Sequence, residues 1–138
     1  MHSDIHGGMV IGMAAQGGAV DIVALAQGND AFRRVIVTGE FSQVVAMTIP
    51  VGGEIGDEVH QRTDQLLVFI EGEGEAVLDG ARSPVAPSEL VFVHAGTRHN
   101  FRNTGQVPLR LVTVYAPPEH PPGTVEQTKE EAEAAEPQ

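Results

Sequence analysis

Cysteine and tryptophan are both missing from this sequence, and aromatic residues make up only 4% of its 138 residues. Without cysteine the chain can form no disulfide bond and carry out no thiolate chemistry. Basic residues are also scarce, with 8 Lys and Arg against 19 Asp and Glu, for a formal net charge of -11. Nucleic-acid phosphates and anionic membrane surfaces both bind clusters of basic side chains. We therefore expect neither nucleic acid nor a membrane as a partner.

Long apolar runs are missing as well, because no stretch approaches the roughly 20 apolar residues of a membrane-spanning helix. An export signal needs a basic start and an unbroken apolar centre. Here no Lys or Arg precedes Arg33, Gly17 and Gly18 interrupt the mildly apolar N-terminal segment, and Asp21 lies inside it. We therefore expect a cytoplasmic protein, and its length is that of one domain.

From Phe32 onward the sequence contains Val-rich segments separated by Gly, Pro and Asn, a pattern that predicts β strands. The predicted strands cover residues 32–38, 41–49, 66–70, 75–78, 81–85, 90–94, 99–102 and 109–115. Asp79 and Gly80 predict a hairpin turn, because a type I′ turn requires positive φ at both central residues. Strands that recur about every 8–12 residues without helical periodicity predict an all-β antiparallel fold, a jelly roll or a small barrel.

The sequence divides into three parts. Residues 1–31 are rich in Gly and Ala without a sustained period, and we interpret them as a loosely ordered N-terminal arm. Residues 32–118 form the predicted barrel. The Pro- and acid-rich C-terminal tail, residues 119–138, contains Thr128-Lys129-Glu130-Glu131, the capping-box pattern of a helix start. Because the tail has no apolar face, we expect it to be a short solvated helix or a disordered end.

Four side chains in or between the predicted strands have the chemistry of metal ligands. Glu58 and His60 are two residues apart, so they share a face if their segment is extended. Gln65 lies at an odd separation and needs a bend to join them, which the polar stretch before it can provide. His99 must come from another strand. Two imidazoles, one carboxylate and one amide oxygen suit Fe, Mn, Ni, Co or Zn better than Ca or Mg.

These residues also lie in two motifs with recognisable spacing. The first is Gly52-x5-Glu58-x-His60-x4-Gln65-x6-Gly72, and it is similar to the first motif of the cupin superfamily, G-x5-H-x-H-x3,4-E-x6-G. The second is Ser88-x5-His94-x-Gly96-x2-His99-x3-Asn103, which is similar to the second cupin motif, G-x5-P-x-G-x2-H-x3-N. Both motifs keep every spacing, and the likeness covers roughly residues 32–116.

The resemblance implies a double-stranded β-helix, or jelly-roll, fold that associates as a homodimer. It also implies a divalent transition metal held by Glu58, His60, Gln65 and His99. Glu58 replaces a histidine and Gln65 replaces a glutamate, so the set still contains one carboxylate. Two histidines with one carboxylate form the composition that leaves positions open for oxygen or substrate at Fe(II).

The resemblance allows two classes of function. The first is a metal-dependent enzyme that acts on a small organic molecule, dioxygenase-like or isomerase-like. The second is a non-catalytic domain that binds or senses a small ligand such as a sugar. His94 is the candidate for proton transfer at the mouth of the pocket, or it caps a turn. His120 is expected in a loop, unless the tail folds over the barrel mouth. We expect residues 32–49 to contribute to the dimer interface.

Overall fold

Nine strands and two short helices are found in the computed structural model, which describes residues 17–135. In chain order the elements are α1 (Ile22–Gln27), β1 (Arg33–Thr38), β2 (Gln43–Ile49), β3 (Asp64–Glu71), β4 (Gly74–Leu78), β5 (Ala81–Val85), β6 (Leu90–Val93), β7 (His99–Asn103), β8 (Leu109–Ala116), β9 (Val125–Glu126) and α2 (Lys129–Ala135). All eight predicted strands are present, and β9 was not predicted. Neither helix in this part of the chain is long and apolar enough to cross a membrane.

The strands form two antiparallel sheets. The larger sheet has the order β6-β3-β8-β2-β1-β9, and the smaller one has the order β5-β4-β7. Isolated bridges join Glu54 to Arg102 and Glu58 to His99, so the segment between β2 and β3 runs along the free side of β7. Between β4 and β5, Asp79 and Gly80 have φ values of 48° and 84°, which confirms the predicted turn. Two sheets joined by crossovers are the predicted jelly roll.

The side chains that point into the barrel change character from one end to the other. The apolar end consists of buried residues of β2, β3, β7 and β8: Ile49, Phe69, Phe101, Leu109 and Leu111. The polar end consists of buried residues of the same four strands: Gln43, Gln65, His99, Thr113 and Tyr115. Strand register fixes this division, because Gln43 and Gln65 both pair with Tyr115 while Ile49 pairs with Leu109.

The N-terminal segment differs from the loosely ordered arm that we predicted. The side chain of Asp21 caps α1 by accepting hydrogen bonds from the backbone N–H of Val23 and Ala24. Leu25 and Ala26 then pack on the outer face of the larger sheet, in one cluster with Ile36, Ala46 and Val112. A helix of six residues is too short to show a period in the sequence, which is why composition alone suggested disorder. Residues 1–16 lie outside the described residues.

The C-terminal tail forms the short helix that we predicted as one alternative, but this helix is docked on the core rather than solvated. Strand β9 pairs with the start of β1, with Glu126 opposite Arg33. Helix α2 has the predicted capping pair, because Thr128 Oγ1 accepts a hydrogen bond from Glu131 N. Its Ala132 is 3% exposed and belongs to the main core cluster. A single buried alanine produces no apolar face in the sequence, so this docking had no periodic signal.

Candidate metal site

Backbone pairing brings Glu58 next to His99. Glu58 N donates to His99 O at 2.9 Å, and His99 N donates to Glu58 O at 2.8 Å. Residues that exchange both hydrogen bonds in an antiparallel pair project their side chains on the same face. His60 follows two residues after Glu58 and its side chain joins them, as the extended spacing predicted. The first cupin-like motif and the second are therefore joined directly by this short ladder.

The ligand atoms of Glu58, His60 and His99 all lie within 4.8 Å of one another. Glu58 Oε1 is 3.5 Å from His60 Nε2 and 4.0 Å from His99 Nε2. Ligand bonds of about 2.0–2.2 Å to a shared ion place neighbouring ligand atoms about 3–4 Å apart. The spacing of these three groups therefore suits one transition-metal ion.

Both histidines present the correct ring nitrogen to the site. His99 Nδ1 lies 2.8 Å from Thr97 O, and a carbonyl oxygen can only accept, so Nδ1 carries the proton and Nε2 has the lone pair. His60 Nδ1 lies 3.3 Å from the carboxylate oxygen Oε2 of Glu119, which sets the same tautomer. The Nε2 atoms of both rings are buried and have no hydrogen-bond partner in the part of the chain that the structure describes. This arrangement is typical of histidines that bind metal through Nε2.

The amino group of Gln65 is used in a hydrogen bond to Thr113, which leaves the amide oxygen Oε1 available as a ligand. It is 2% exposed on the inward face of β3. The hydroxyl of Thr113 donates to Leu66 O at 2.9 Å, so its oxygen accepts the Gln65 Nε2 hydrogen bond at 3.1 Å. Gln65 Oε1 is left buried without a partner. A turn at residues 61–62 provides the bend between the first ligands and this strand that the sequence required.

The electrostatics of the site favour a bound cation. Burial favours the neutral acid at Glu58, but His60, Arg33 and His99 outweigh it and hold the pKa of this carboxyl below its usual range. Burial likewise opposes a charge on His60, but Glu119 and Glu58 raise its pKa to about 9. This pKa implies a proton on His60 Nε2 beside the two carboxylates, and a bound ion would take the place of that proton. The anionic Glu58, the buried Gln65 Oε1 and His99 Nε2, and the His60 Nε2 that loses its proton together fit a divalent transition metal.

A cavity of about 660 Å³ opens onto Glu58 and His60. Its walls include Glu58, His60, Glu119, His120 and Arg33. Arg33 is 2% exposed, and its Nη1 donates to Glu126 Oε1 at 2.8 Å. The cavity is large enough for a small organic molecule, and strand β9 and the loop before it form one of its walls.

Two histidines outside the ligand set lie in different surroundings. His94 follows β6 near the polar end, but it is exposed and its ring packs on Phe92 at 4.8 Å between centroids, outside the cavity lining. The ring of His120 lines the cavity and packs edge-on against Tyr115 at 5.0 Å. Its Nε2 is buried without a hydrogen-bond partner. Burial and the nearby Arg33 lower the pKa of His120 to about 4, so its imidazole is neutral at physiological pH.

Two further residues adjoin the site. Glu119 contacts His60, and Gln43 on β2 fixes the backbone around it. Gln43 Oε1 accepts hydrogen bonds from Glu119 N at 3.1 Å and His120 N at 3.0 Å, and its Nε2 donates to His120 O at 2.7 Å. A glutamine at an inward position of a Val-rich strand was the available signal for Gln43. Glu119 had none, because its position depends on how the tail folds back.

Comparisons with known proteins agree with this architecture. A family model described as the cupin domain matches residues 45–115, just over half of the chain. The uncharacterized protein YrkC of Bacillus subtilis is 39% identical over 123 residues, which are 85% of this chain and 66% of that protein. The chain spans just under two thirds of the length of the first curated relatives that it matches, with shares of 66%, 64% and 66%.

Two solved structures have the same fold. The protein BH2720 of Bacillus halodurans has a TM-score of 0.85 and 41% identity, and the match covers 87% of this chain and 96% of that one. An uncharacterized conserved protein of Klebsiella pneumoniae with a double-stranded β-helix domain has a TM-score of 0.66 and 21% identity, over 83% of this chain and 95% of that one. The double-stranded β-helix fold that the motifs implied is therefore confirmed.

Proposed function

Since this chain belongs to the cupin family, we propose that it holds one divalent transition-metal ion and acts as a metal-dependent enzyme on a small organic molecule. The ligands are Glu58, His60, Gln65 and His99. One observation carries the proposal: within residues 17–135, Gln65 Oε1 and the Nε2 atoms of His60 and His99 are buried without a hydrogen-bond partner, and the carboxylate of Glu58 lies near both imidazoles. An unpartnered buried acceptor costs about 1–3 kcal/mol, which an ion at this point would recover.

The ion, when bound, supplies Lewis-acid or oxygen-activating chemistry, and the reaction is dioxygenase-like or isomerase-like. The side chains of the protein supply substrate binding and proton transfer. The walls of the cavity hold the substrate and keep water out, and the neutral His120 offers Nε2 to receive or deliver a proton. We favour His120 over His94 for this role because His120 lines the cavity and His94 is exposed.

Metal analysis tests the first part of the proposal. Tag-free protein purified without chelator is stripped and then reconstituted with Fe(II), Mn, Ni, Co and Zn in turn. We expect about one equivalent of at least one of these ions per chain in wild type, and none in His60→Ala or His99→Ala. Protein that takes up none of the five ions stoichiometrically would contradict the proposed function.

Activity screens test the second part, with oxygen uptake and isomerisation measured on the loaded protein. Once a substrate is found, His120→Ala should lower turnover by about 10²–10⁴-fold, the usual contribution of a positioned acid or base. His94→Ala is the matched control and should leave turnover unchanged. The reverse result would return the role to His94, as the sequence alone suggested.

A non-catalytic module that binds or senses a small ligand is the second candidate. It is favoured by the pairing of the carboxylates at the cavity, which leaves few groups free for proton transfer. Glu126 contacts Arg33, Asp57 contacts Arg98, and Glu119 accepts from Thr63. A metal-loaded protein that binds ligands tightly but transforms none of a broad panel would establish this candidate instead.

A further inference from the structure

We propose that Glu119 is a positioning residue of the metal site. The C-terminal strap, residues 119–135, contributes to metal binding by holding Glu119 in place. Glu119 does not belong to the ligand set. It holds the imidazole of His60 so that Nε2 faces Glu58 and His99. This inference rests on the proposed metal site, and it predicts that metal affinity depends on how the strap docks.

The contacts of Glu119 fix both of its carboxylate oxygens. Oε2 lies 3.3 Å from His60 Nδ1, and Oε1 accepts a hydrogen bond from the hydroxyl of Thr63 at 2.9 Å. Thr63 is buried and lies between His60 and β3, so the carboxylate spans the segment that leads from one ligand to the next. A carboxylate on the far nitrogen of a ligating histidine fixes the tautomer and the ring orientation and makes Nε2 a stronger donor.

The strap holds Glu119 in place by contacts that do not involve the ligands. Gln43 makes three hydrogen bonds to the backbone of Glu119 and His120. Farther along, Val125 pairs with Arg34 of β1, and Ala132 packs into the main core. None of these contacts involves a proposed ligand, so the fold of the strap itself positions the carboxylate. Such preorganisation lowers the free-energy cost of binding.

The decisive experiment compares Glu119→Gln with Glu130→Gln, an exposed glutamate of the same strap. Glu119→Gln keeps the shape of the side chain but removes its charge. Titration with Zn(II) and Co(II) against a chromophoric chelator should show Kd raised about 10–100-fold in Glu119→Gln. Glu130→Gln should match wild type. Circular dichroism of both metal-free variants checks that the fold is kept.

Gln43→Met tests the same coupling indirectly, because the side-chain hydrogen bonds of Gln43 go to Thr38 and to the backbone of Glu119 and His120. It should weaken metal binding in the same direction, and the double variant with Glu119→Gln should lose less than the sum of the two losses. Imidazole ¹⁵N spectra of the Zn(II)-loaded protein provide a measurement that a general loss of stability would not change. Wild type should show His60 with Nδ1 protonated and Nε2 bound, and Glu119→Gln should show exchange at this ring.

The outcomes separate this inference from the proposed function. A wild type that binds no metal overturns both. A wild type that binds metal, with Glu119→Gln and Gln43→Met within about twofold of its Kd and an unchanged His60 spectrum, overturns the positioning role alone. That second result would leave Glu119 as an ordinary contact of a docked tail.

Discussion

The two ends of the barrel interior are made by the same four strands and the same inward faces, yet they are completed in different ways. At the apolar end, Ile49, Phe69 and Leu109 fill the space between the sheets and need nothing more. At the polar end, the strap supplies the hydrogen-bond partners of Gln43, and Gln65 Oε1 has no partner among residues 17–135. If the metal site is as proposed, one end of each strand stabilises the fold and the other end holds the site.

The difference has a thermodynamic consequence. A fully buried Leu, Ile or Phe side chain contributes roughly 1.5–3 kcal/mol of stability by its burial. A buried polar atom without a partner costs about 1–3 kcal/mol. The apolar end therefore raises the free energy of unfolding, and the unpartnered polar atoms lower it unless an ion binds to them. If this account is correct, substitutions at the two ends have effects of different kinds.

The largest expected effect is at the apolar end. Phe69→Ala removes a fully buried ring that packs against Phe101 at 5.8 Å between centroids. We expect the free energy of unfolding to fall by about 3–5 kcal/mol, the usual cost of such a cavity. Urea denaturation of the metal-free protein measures it. A loss below about 1 kcal/mol would mean that the interior is not packed as described.

A smaller effect, of opposite sign, should follow metal loading at the polar end. A ligand that binds only the folded state at 100 times its Kd stabilises that state by about 2.7 kcal/mol. We expect this gain in wild type and in Phe69→Ala, because the latter keeps all four ligands. His99→Ala should show no gain. Thermal unfolding with and without Zn(II) makes the comparison, and equal gains in all three proteins would place the ion elsewhere.

At Gln65, a single substitution should weaken metal binding while it leaves the free energy of unfolding nearly unchanged. Gln65→Leu removes the unpartnered oxygen, so the metal-free protein should keep its free energy of unfolding to within about 1 kcal/mol. The same change should weaken metal binding by about tenfold, because one neutral donor is lost. Gln65→Glu should preserve or tighten metal binding, since a carboxylate is the stronger donor. If Gln65→Leu binds metal as wild type does, Gln65 is a wall residue and no ligand.

The sequence predicted the apolar end almost completely and the polar end in part. Val-rich segments and turn residues located the eight strands, and Asp79-Gly80 fixed one hairpin through its backbone requirement. Motif spacing predicted the four proposed ligands, and the structure brings three of them, Glu58, His60 and His99, within 4.8 Å of one another. His120 was predicted near the pocket only as an alternative, if the tail folds over the barrel mouth, and Glu119 was not predicted, because their place depends on Gln43, which is 77 and 76 residues away. Contacts over such separations have no local pattern.

The smallest effect on the interior should come from Phe41, which is 75% exposed at the turn between β1 and β2. It lies within residues 32–49, the region that we predict to contribute to a homodimer. A large exposed aromatic ring is typical of a surface that a partner covers. Phe41→Ser should shift the protein from dimer toward monomer in light scattering at micromolar concentration.

Because the ring of Phe41 makes few contacts within one chain, the unfolding free energy of the monomer should change by no more than about 0.5 kcal/mol in Phe41→Ser, and Kd for metal should not change. A wild type that is monomeric at these concentrations would contradict the dimer, and a dimeric Phe41→Ser would move the interface to another face.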